Sequence, residues 1–370
     1  MRFKAFHVFI IYTLAEMLAF TFFMPYIYSL EVSNLSLLLY FIFAYVSAIT
    51  LIALSKRIEP KRFIMIAFFL RILVAISMVF FASNITVPII GIISGTTFYF
   101  FWVPLNISYF ISNSNKHATE SWKYSFAAPI IGIMIPSLSG IVSSYFGIQS
   151  LFLAAIPLYL LGIFVASRTE WKSIDYNLKD SLKKFSGLRT LSFIDGFWQP
   201  AFFIGIPLVT ANYLKSSLKF GGFYSYLGIV STMAAFVMVT YSDKYKKRKL
   251  FVYVVPFLLA LASIAIAFHN SFIQWTILAG IAYFLHPMAV TFFLAMLLDT
   301  KSIEIIPESM IAREYILNLG RAFGTIVLIL FSLYGNILHG FIILGSAMLI
   351  SPFLIKLKRI YAFEAGNVQN

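Results

Sequence analysis

The stretch YSDKYKKRKL, Tyr241 to Leu250, lies between two long apolar runs of the chain. It contains five of the 28 lysine and arginine residues of the whole sequence. An earlier stretch, LSKRIEPKR from Leu54 to Arg62, has the same outline of a small residue, a charge and two basic clusters. Two similar basic loops at matching places of two hydrophobic halves predict a duplicated membrane protein.

The composition is typical of a membrane protein that crosses the bilayer many times. Of the 370 residues 61% are hydrophobic and 11% are charged, with a mean hydropathy of +0.89. A soluble domain has about half apolar and about a quarter charged residues. The net charge of +14 would suit nucleic-acid binding in a soluble protein, but here the basic residues lie in short loops, where they act as topology signals. We therefore expect no nucleic-acid partner.

Twelve apolar segments have about the 20 residues that a helix needs to cross a bilayer. We number them as spans 1 to 12, at 5–29, 35–54, 63–82, 87–111, 123–145, 148–166, 189–213, 220–240, 250–268, 273–298, 310–334 and 338–355. The predicted fold class is an all-α membrane protein whose twelve transmembrane helices form two pseudo-symmetric six-helix bundles. Its predicted parts are an N-terminal bundle at 1–166, a cytoplasmic linker at 167–188, a C-terminal bundle at 189–355 and a cytoplasmic tail at 356–370.

The distribution of lysine and arginine predicts the orientation. With the N-terminus inside, the outside loops hold only Lys215 and Lys219 among the loop lysines and arginines. Such a bias sets the orientation when loops are short. The first apolar run follows Arg2 and Lys4 but is not followed by a small-residue cleavage site, so we expect it to remain as the first helix. Both termini are expected in the cytoplasm, and the protein in the plasma membrane.

The two halves also resemble each other inside the spans. Glu16 in span 1 corresponds to Asp195 in span 7, and each is followed by a Phe-Phe pair and a proline. Gly95 in span 4 corresponds to Gly280 in span 10. Two parallel six-helix repeats imply a pseudo-two-fold axis along the membrane normal and a cavity between the halves.

These features resemble the major facilitator superfamily. Its signature lies between helices 2 and 3, and often again between helices 8 and 9, with a core close to L-S-D-R-x-G-R-K-R. The stretch from Tyr241 to Lys249 matches that core except for Lys246 in place of the glycine, and the earlier copy has Lys56 for the aspartate and Glu59 for the glycine. The resemblance implies a secondary transporter that moves a small solute by alternating access.

The resemblance assigns the two basic loops to a cytoplasmic gate. An aspartate just past a helix end can accept hydrogen bonds from the N-terminus of a neighbouring helix, and by analogy Asp243 would face the start of span 5 near Glu120. Lys56 cannot act in this way, and we expect it to pair with Glu308 or Glu314 at the start of span 11. The alternative is that these charges only enforce topology. The candidate gate residues are Asp243, Lys244, Arg248, Lys56, Arg57, Glu120 and Glu314.

Ionisable residues inside the spans are candidates for function because a charge at bilayer depth costs a few kcal/mol. The proton-coupling candidates are Glu16, Asp195, Arg71, Arg321 and His286. In the resembled fold helices 1, 4, 7 and 10 line the cavity, so Glu16, Asp195 and His286 should project into it, while spans 3 and 11 should stand further out. Burial favours a protonated carboxyl group and a nearby cation favours the carboxylate, so a carboxylate that exchanges its cation partner, here Arg71 or Arg321, can bind and release a proton. The alternatives are permanent ion pairs that fix packing and, for His286, a satisfied core histidine.

The cavity-lining helices of the resemblance also carry aromatic and amide side chains. The predicted cavity residues are Tyr12, Tyr99, Trp102, Asn106, Trp198, Gln199 and Tyr283. On span 7 the residues that share one face by their i, i+3, i+4, i+7 spacing are Asp195, Trp198, Gln199 and Phe202. A mixed aromatic and amide lining favours an amphiphilic organic solute over an inorganic ion, and the alternative is ordinary aromatic packing.

The sequence thus predicts a proton-coupled secondary transporter of a small organic solute, acting as a monomer among membrane lipids. The stretch from Ala128 to Gly140 resembles the Gly-Pro-x-x-Gly-Gly ending of the helix 5 motif in antiporters of the superfamily, which favours export. The sequence has no Walker loop, no cysteine and no Gly-x-Ser-x-Gly motif, so no cofactor, metal or enzymatic activity is predicted. The alternatives left open are a uniporter or sodium-coupled carrier on the same fold, a membrane-embedded lipid-modifying enzyme and a receptor that does not transport.

Overall fold

The computed structural model describes residues 4–112, 117–245, 248–300 and 305–357, with side chains described outside 110–126, 238–250, 295 and 298–300. The helices of the first half are α1 (Ala5–Phe20), α2 (Phe23–Ser29), α3 (Asn34–Leu54), α4 (Pro60–Phe81), α5 (Thr86–Ser112), α6 (His117–Phe146) and α7 (Gln149–Ser167). The linker contains α8 (Leu178–Lys184). The helices of the second half are α9 (Arg189–Pro200), α10 (Ile206–Tyr213), α11 (Ser217–Tyr245), α12 (Arg248–Ile266), α13 (Phe272–Thr300), α14 (Ile306–Leu333), α15 (Leu338–Met348) and α16 (Ile350–Leu357).

The helices have the lengths and surfaces of membrane spans. Eleven helical segments of the described chain are long and apolar enough to cross a bilayer, and Phe251–Ile266 of α12 is a shorter apolar helix. Helices satisfy their own backbone hydrogen bonds, as the hydrocarbon interior requires. Large apolar side chains such as Phe80, Leu160 and Phe323 are more than half exposed on the outer surface, where lipid would cover them. The predicted all-helical membrane architecture is confirmed.

The loops define two ends of the bundle. We call the end that carries the loop at 55–59 and the linker at 167–188 the linker end. The opposite end carries the loops at 30–33, 82–85 and 214–216.

Two long helix pairs join the halves: α6 packs along α11, and α14 packs along α3. Small residues allow the first of these contacts. A Cβ atom added to Gly221 or Gly228 of α11 would overlap the carbonyl oxygen of Pro136 or Gly132 of α6. The small residues in the stretch that resembles the antiporter motif therefore lie at the contact between the halves, where close helix approach needs them.

The halves also meet at the opposite end. The ring centroids of Phe22 and Phe220 are 5.4 Å apart, and the Nζ atom of Lys215 lies 5.9 Å from the centroid of the Tyr28 ring. These side chains hold span 1 and the start of span 8 together at the opposite end in this conformation.

The linker is attached to the first half by a short sheet. Strand β1 (Arg57–Ile58) pairs antiparallel with strand β2 (Ile174–Asp175). The backbone N–H of Tyr176 donates to the carbonyl oxygen of Lys56 at 2.9 Å, and its hydroxyl donates to the carbonyl oxygen of Ile52 at 2.8 Å. Burial raises the pKa of the Tyr176 phenol, so the hydroxyl stays protonated and keeps donating.

The linker is attached to the second half by α8. The Asn177 side chain caps this helix by accepting from the Lys179 N–H at 3.0 Å. Helix α8 packs against α14, and Lys184 Nζ contacts Glu308 Oε2. Because Glu308 pairs with Lys184, the expected Lys56–Glu308 pair is not formed in this structure.

The charged stretch that follows span 8 is more helical than predicted. Helix α11 continues to Tyr245 and α12 begins at Arg248, whereas the sequence predicts ends at 240 and 250. Asp243 and Lys244 therefore belong to the last turn of α11. The side chains of four gate candidates lie outside the described residues: Asp243, Lys244, Arg248 and Glu120. Their gate role stays a prediction.

Candidate functional site

A cavity of about 530 Å³ lies between the two halves and is lined by residues of both. This volume falls in the range of about 300–1,000 Å³ that is usual for small-molecule sites. Of the predicted cavity residues, the ones that line it are Tyr99, Trp102, Asn106, Gln199 and Tyr283. The cavity therefore has the size and the mixed aromatic and amide lining of a site for a small organic molecule.

Glu16 and Arg71 form an ion pair in the first-half wall of the cavity, with Arg71 Nη2 2.8 Å from Glu16 Oε2. The Tyr159 hydroxyl donates to Glu16 Oε1 at 2.8 Å. Arg71 also donates to the Tyr12 hydroxyl at 3.2 Å and to Ser94 Oγ at 2.8 Å. The side chain of Arg71 is 3% exposed and that of Glu16 is 19% exposed, so the carboxylate is the more accessible member of the pair.

Aromatic rings support the buried guanidinium group. Arg71 Cζ lies 4.6 Å from the centroid of the Phe20 ring, a cation–π contact. The Tyr12 ring stacks on Phe101 at 3.5 Å and is fully buried. Tyr12 thus supports the wall from behind and does not line the cavity, contrary to the sequence prediction.

The second half holds a comparable cluster around Arg313 of α14. Arg313 Nη2 lies 3.6 Å from Asp195 Oδ2, and Arg313 Nη1 donates to Glu314 Oε1 at 3.1 Å. Asp195 Oδ1 accepts from Gln199 Nε2 at 3.2 Å. Asp195 is 2% exposed and lies behind Gln199, so it does not project into the cavity as predicted. Its arginine neighbour at salt-bridge distance is Arg313, not Arg71 or the Arg321 of the sequence prediction.

Arg321 lies about two turns further along α14 than Arg313 and is held by amide groups. Its Nε donates to Gln199 Oε1 at 2.7 Å and its Nη1 donates to Asn318 Oδ1 at 2.9 Å, while Glu314 Oε2 is 4.0 Å from Nη1. Both Arg71 and Arg321 line the cavity. The expectation that spans 3 and 11 stand further out is wrong for span 11, because Met310, Glu314 and Asn318 of α14 also line the cavity. Among the described residues, α4 reaches the cavity only through the long side chain of Arg71.

His286 of α13 lines the cavity among aromatic rings. Its ring stacks on Phe202 with centroids 4.0 Å apart, and its buried Nε2 has no hydrogen-bond partner among the described residues. The alternative interpretation, in which His286 is a core histidine with its hydrogen bonds made, does not describe this ring. The neighbouring Trp198 donates from Nε1 to Ser263 Oγ at 2.6 Å and is fully buried, so it lies behind the cavity wall and not in it as predicted.

The predicted polar face of span 7 is interrupted by a π-helical turn at Ala201–Gly205, between α9 and α10. A π turn adds about one residue to the helical turn and so shifts the faces that follow it. As a result Phe203 lines the cavity, while Phe202 packs on His286. Such turns are frequent at functional sites, but the predicted i, i+7 pattern assumes a regular helix.

Sequence reasoning missed several residues of the second-half cluster, above all Arg313. Span 11 is predicted to begin at 310, which places Arg313 in its first turn, where a basic residue indicates the cytoplasmic end of a span. Helix α14 begins at Ile306, which places Arg313 about 10 Å into the helix at 1.5 Å per residue. A usable signal was present: Glu314, Asn318 and Arg321 have the i, i+4, i+7 spacing of one helix face.

The described gate candidates separate into two places. Arg57 is exposed at the linker end, where its Nε lies 3.4 Å from Glu59 Oε1 and 3.8 Å from Asp175 Oδ1. Glu314 lies in the cavity wall and contacts the arginines of its own helix. The expected pairing of Lys56 with Glu314 is therefore not formed in this structure.

Comparison with known proteins supports the architecture. No protein-family model matches the sequence, and no curated protein is significantly similar to it. The structure is similar to the crystal structure of the human organic anion transporter MFSD10 (TETRAN), with a TM-score of 0.59 and 11% sequence identity. The similarity covers 95% of this chain and 98% of that chain. The chain is an integral membrane protein with the major facilitator fold.

Proposed function

We propose that this protein is a proton-coupled secondary transporter, which moves a small organic solute across the plasma membrane by alternating access. The observation that carries the proposal is the Glu16–Arg71 pair in the wall of a cavity between the halves. An ionisable pair at this depth is costly and marks ion or substrate pathways in membrane proteins. That the similar structure is an organic anion transporter supports solute transport as the class of activity.

The proton would bind at Glu16. In this conformation Arg71 and the Tyr159 hydroxyl both favour the ionised carboxylate. Glu16 is the more exposed member of the pair, so turning of its side chain into the cavity, without movement of α1 relative to α4, would lengthen the ion pair. Burial without the cation favours the protonated acid, and proton binding is thereby linked to the conformation of the cavity.

Asp195 would be the second proton-binding carboxylate, and it lies behind the second-half wall of the cavity. Asp195 reaches the cavity through Gln199, which bonds both Asp195 and Arg321. A change in the protonation of Asp195 would therefore alter the Gln199 amide that faces the solute. The lysine and arginine bias supports a cytoplasmic position for the linker end and both termini, and the resemblance of the α6 stretch to the antiporter motif supports export.

The test is transport in proteoliposomes under an imposed pH gradient, scanned over organic solutes. Wild type is compared with Glu16→Gln and Asp195→Asn, and with Glu31→Gln and Asp180→Asn as matched controls at exposed acids. We expect Glu16→Gln and Asp195→Asn each to reduce gradient-driven flux about tenfold or more, which corresponds to about 1.4 kcal/mol of barrier. The control variants should keep wild-type flux.

Retention of full gradient-driven flux by both Glu16→Gln and Asp195→Asn would overturn the coupling assignment. Transport that ignores the pH gradient would identify a uniporter, and transport that follows a sodium gradient would identify a sodium-coupled carrier. Failure of the purified protein to move any solute under any gradient would count against transport itself.

A further inference from the structure

The cavity wall has more guanidinium groups than carboxylates. Among the described lining residues, Arg71, Arg313 and Arg321 contribute three cations, and Glu16 and Glu314 contribute two carboxylates. Arg71 holds Glu16, and Arg313 contacts Glu314 as well as the buried Asp195. Arg321 is the lining arginine that has no carboxylate within hydrogen-bonding distance.

Arg321 is held in place by neutral groups. Gln199 Oε1 accepts from its Nε at 2.7 Å and Asn318 Oδ1 accepts from its Nη1 at 2.9 Å. Among the described residues no hydrogen bond involves its Nη2. Glu314 Oε2 lies 4.0 Å from Nη1, beyond hydrogen-bonding distance, so the charge of Arg321 is only partly offset. Two amides fix the orientation of the guanidinium group, and a fixed guanidinium edge is suited to a planar anion.

His286 supplies an independent indication of a ligand-binding position in the same wall. Its Nε2 is buried and has no hydrogen-bond partner among the described residues. Phe202 stacks on the ring, and Phe203 meets it edge-on with centroids 5.5 Å apart. The imidazole is therefore fixed in orientation, and a buried polar atom left unpaired is unfavourable until a ligand group satisfies it.

We propose that Arg321 and His286 form an anion subsite, and that the transported solute is an organic carboxylate with an aromatic or apolar body. The proposal rests on the transport function proposed above. The carboxylate would take the free edge of Arg321, and His286 Nε2 would hydrogen-bond to a polar atom of the same solute. The apolar body would lie against Tyr283, Phe203 and, across the cavity, Trp102.

The test is binding to the purified full-length protein in lipid nanodiscs, without any gradient. The probes are naphthalene, biphenyl and indole compounds, each as the carboxylate, the neutral carboxamide and the aminomethyl cation. Affinity is measured by quenching of tryptophan fluorescence and by thermal stabilisation. Wild type is compared with Arg321→Gln, with Arg321→Lys and with Arg168→Gln, an arginine outside the cavity.

We expect the wild type to bind at least one carboxylate about tenfold to a hundredfold more tightly than its carboxamide, as a charge-assisted hydrogen bond would produce. Arg321→Gln should bring the carboxylate down to the affinity of the carboxamide and leave the carboxamide unchanged. Arg321→Lys should keep part of the preference, because an ammonium cannot form the bidentate pair. Arg168→Gln should behave as wild type.

The subsite is contradicted if no carboxylate is preferred over its carboxamide on any of the three cores, or if Arg321→Gln keeps the preference. If Arg321→Gln does not fold, Arg321→Lys decides the question: a preference for the carboxylate over the carboxamide as large as that of wild type would contradict the subsite. A carboxylate preference that Arg321→Gln removes, together with no transport in proteoliposomes, would sink the transport function and leave the subsite. Gradient-driven transport of amides or amines without a carboxylate preference would contradict the subsite and leave the transport function.

Discussion

Arg71→Gln is expected to destabilise the protein by about 3–5 kcal/mol, the usual result of removing one partner of a buried ion pair. The variant leaves the Glu16 carboxylate with the Tyr159 hydroxyl as its hydrogen-bond donor and also removes the donors to Tyr12 and Ser94. Thermal melting of the purified protein in detergent measures the effect. Arg168→Gln, which changes an exposed arginine at the end of α7, is the matched control and should melt as wild type.

The double variant Glu16→Gln/Arg71→Gln separates a charge effect from a packing effect. With both charges removed, no uncompensated ion is left in the wall, so most of the lost stability should return. If Arg71→Gln melted at the wild-type temperature, or if the double variant were less stable than Arg71→Gln alone, the Glu16–Arg71 ion pair would not be what stabilises this wall.

Gly95→Ala is expected to be far more damaging than Gly280→Ala, although the two glycines occupy corresponding places of the two halves. A Cβ at Gly95 would overlap the backbone carbonyl oxygen of Ala44 and the hydroxyl of Ser47, so α3 and α5 would have to move apart. Overpacking of this kind costs about 1–3 kcal/mol or more. A Cβ at Gly280 would meet the hydroxyl end of the Tyr226 side chain, which can rotate away.

Thermal melting and the yield of folded protein measure this contrast. Gly280→Ala should change stability by about 1 kcal/mol or less, since loss of the Tyr226 hydrogen bond to Thr276 is offset by the better helix propensity of alanine. Gly222→Ala is the control, because a Cβ there has no neighbour within 4 Å. Equal losses in Gly95→Ala and Gly280→Ala would contradict the packing of α3 against α5.

The fold could be predicted from the sequence because the bilayer imposes a simple rule on it. Apolar segments of the right length become helices: of the twelve predicted spans eleven reach spanning length in the described chain, and Phe251–Ile266 is shorter. The positions of helix ends were less predictable, since helices extend through charged residues once neighbours support them, as α11 does to Tyr245 and α14 does from Ile306. The division into bundles at 166 and 189 remains a prediction.

The site could be predicted only in part. Glu16, Arg71, Arg321 and His286 were found because an ionisable residue inside an apolar span stands out. Their partners depend on how helices pack, which no spacing along one chain reveals. Arg313 was hidden by its closeness to a helix end.

Side-chain depth was equally hidden from sequence reasoning. Tyr12, Trp198 and Asp195 share helices with true cavity residues but lie behind the wall. On α9 and α10, the π turn at Ala201–Gly205 changes which aromatic side chain faces the solute. A residue pattern that assumes a regular helix cannot give either result.

Alternating access is tested most directly by the distance between the two halves at the opposite end. The chain has no cysteine, so Ser29→Cys and Ser216→Cys give a clean pair of spin-label sites, one in each half. Ser29→Cys with Ser83→Cys, both in the first half, is the control pair. Distances would be measured by electron–electron double resonance in nanodiscs, in acidic and alkaline buffer and with a transported solute.

Alternating access predicts at least two distance populations for the pair that joins the halves. The shorter one corresponds to the contact of Phe22 with Phe220, and the balance between populations shifts with pH and with solute. The control pair should keep one distance throughout. A single, unchanging distance between Ser29→Cys and Ser216→Cys under all conditions would contradict transport by alternating access and would favour a receptor on the same fold.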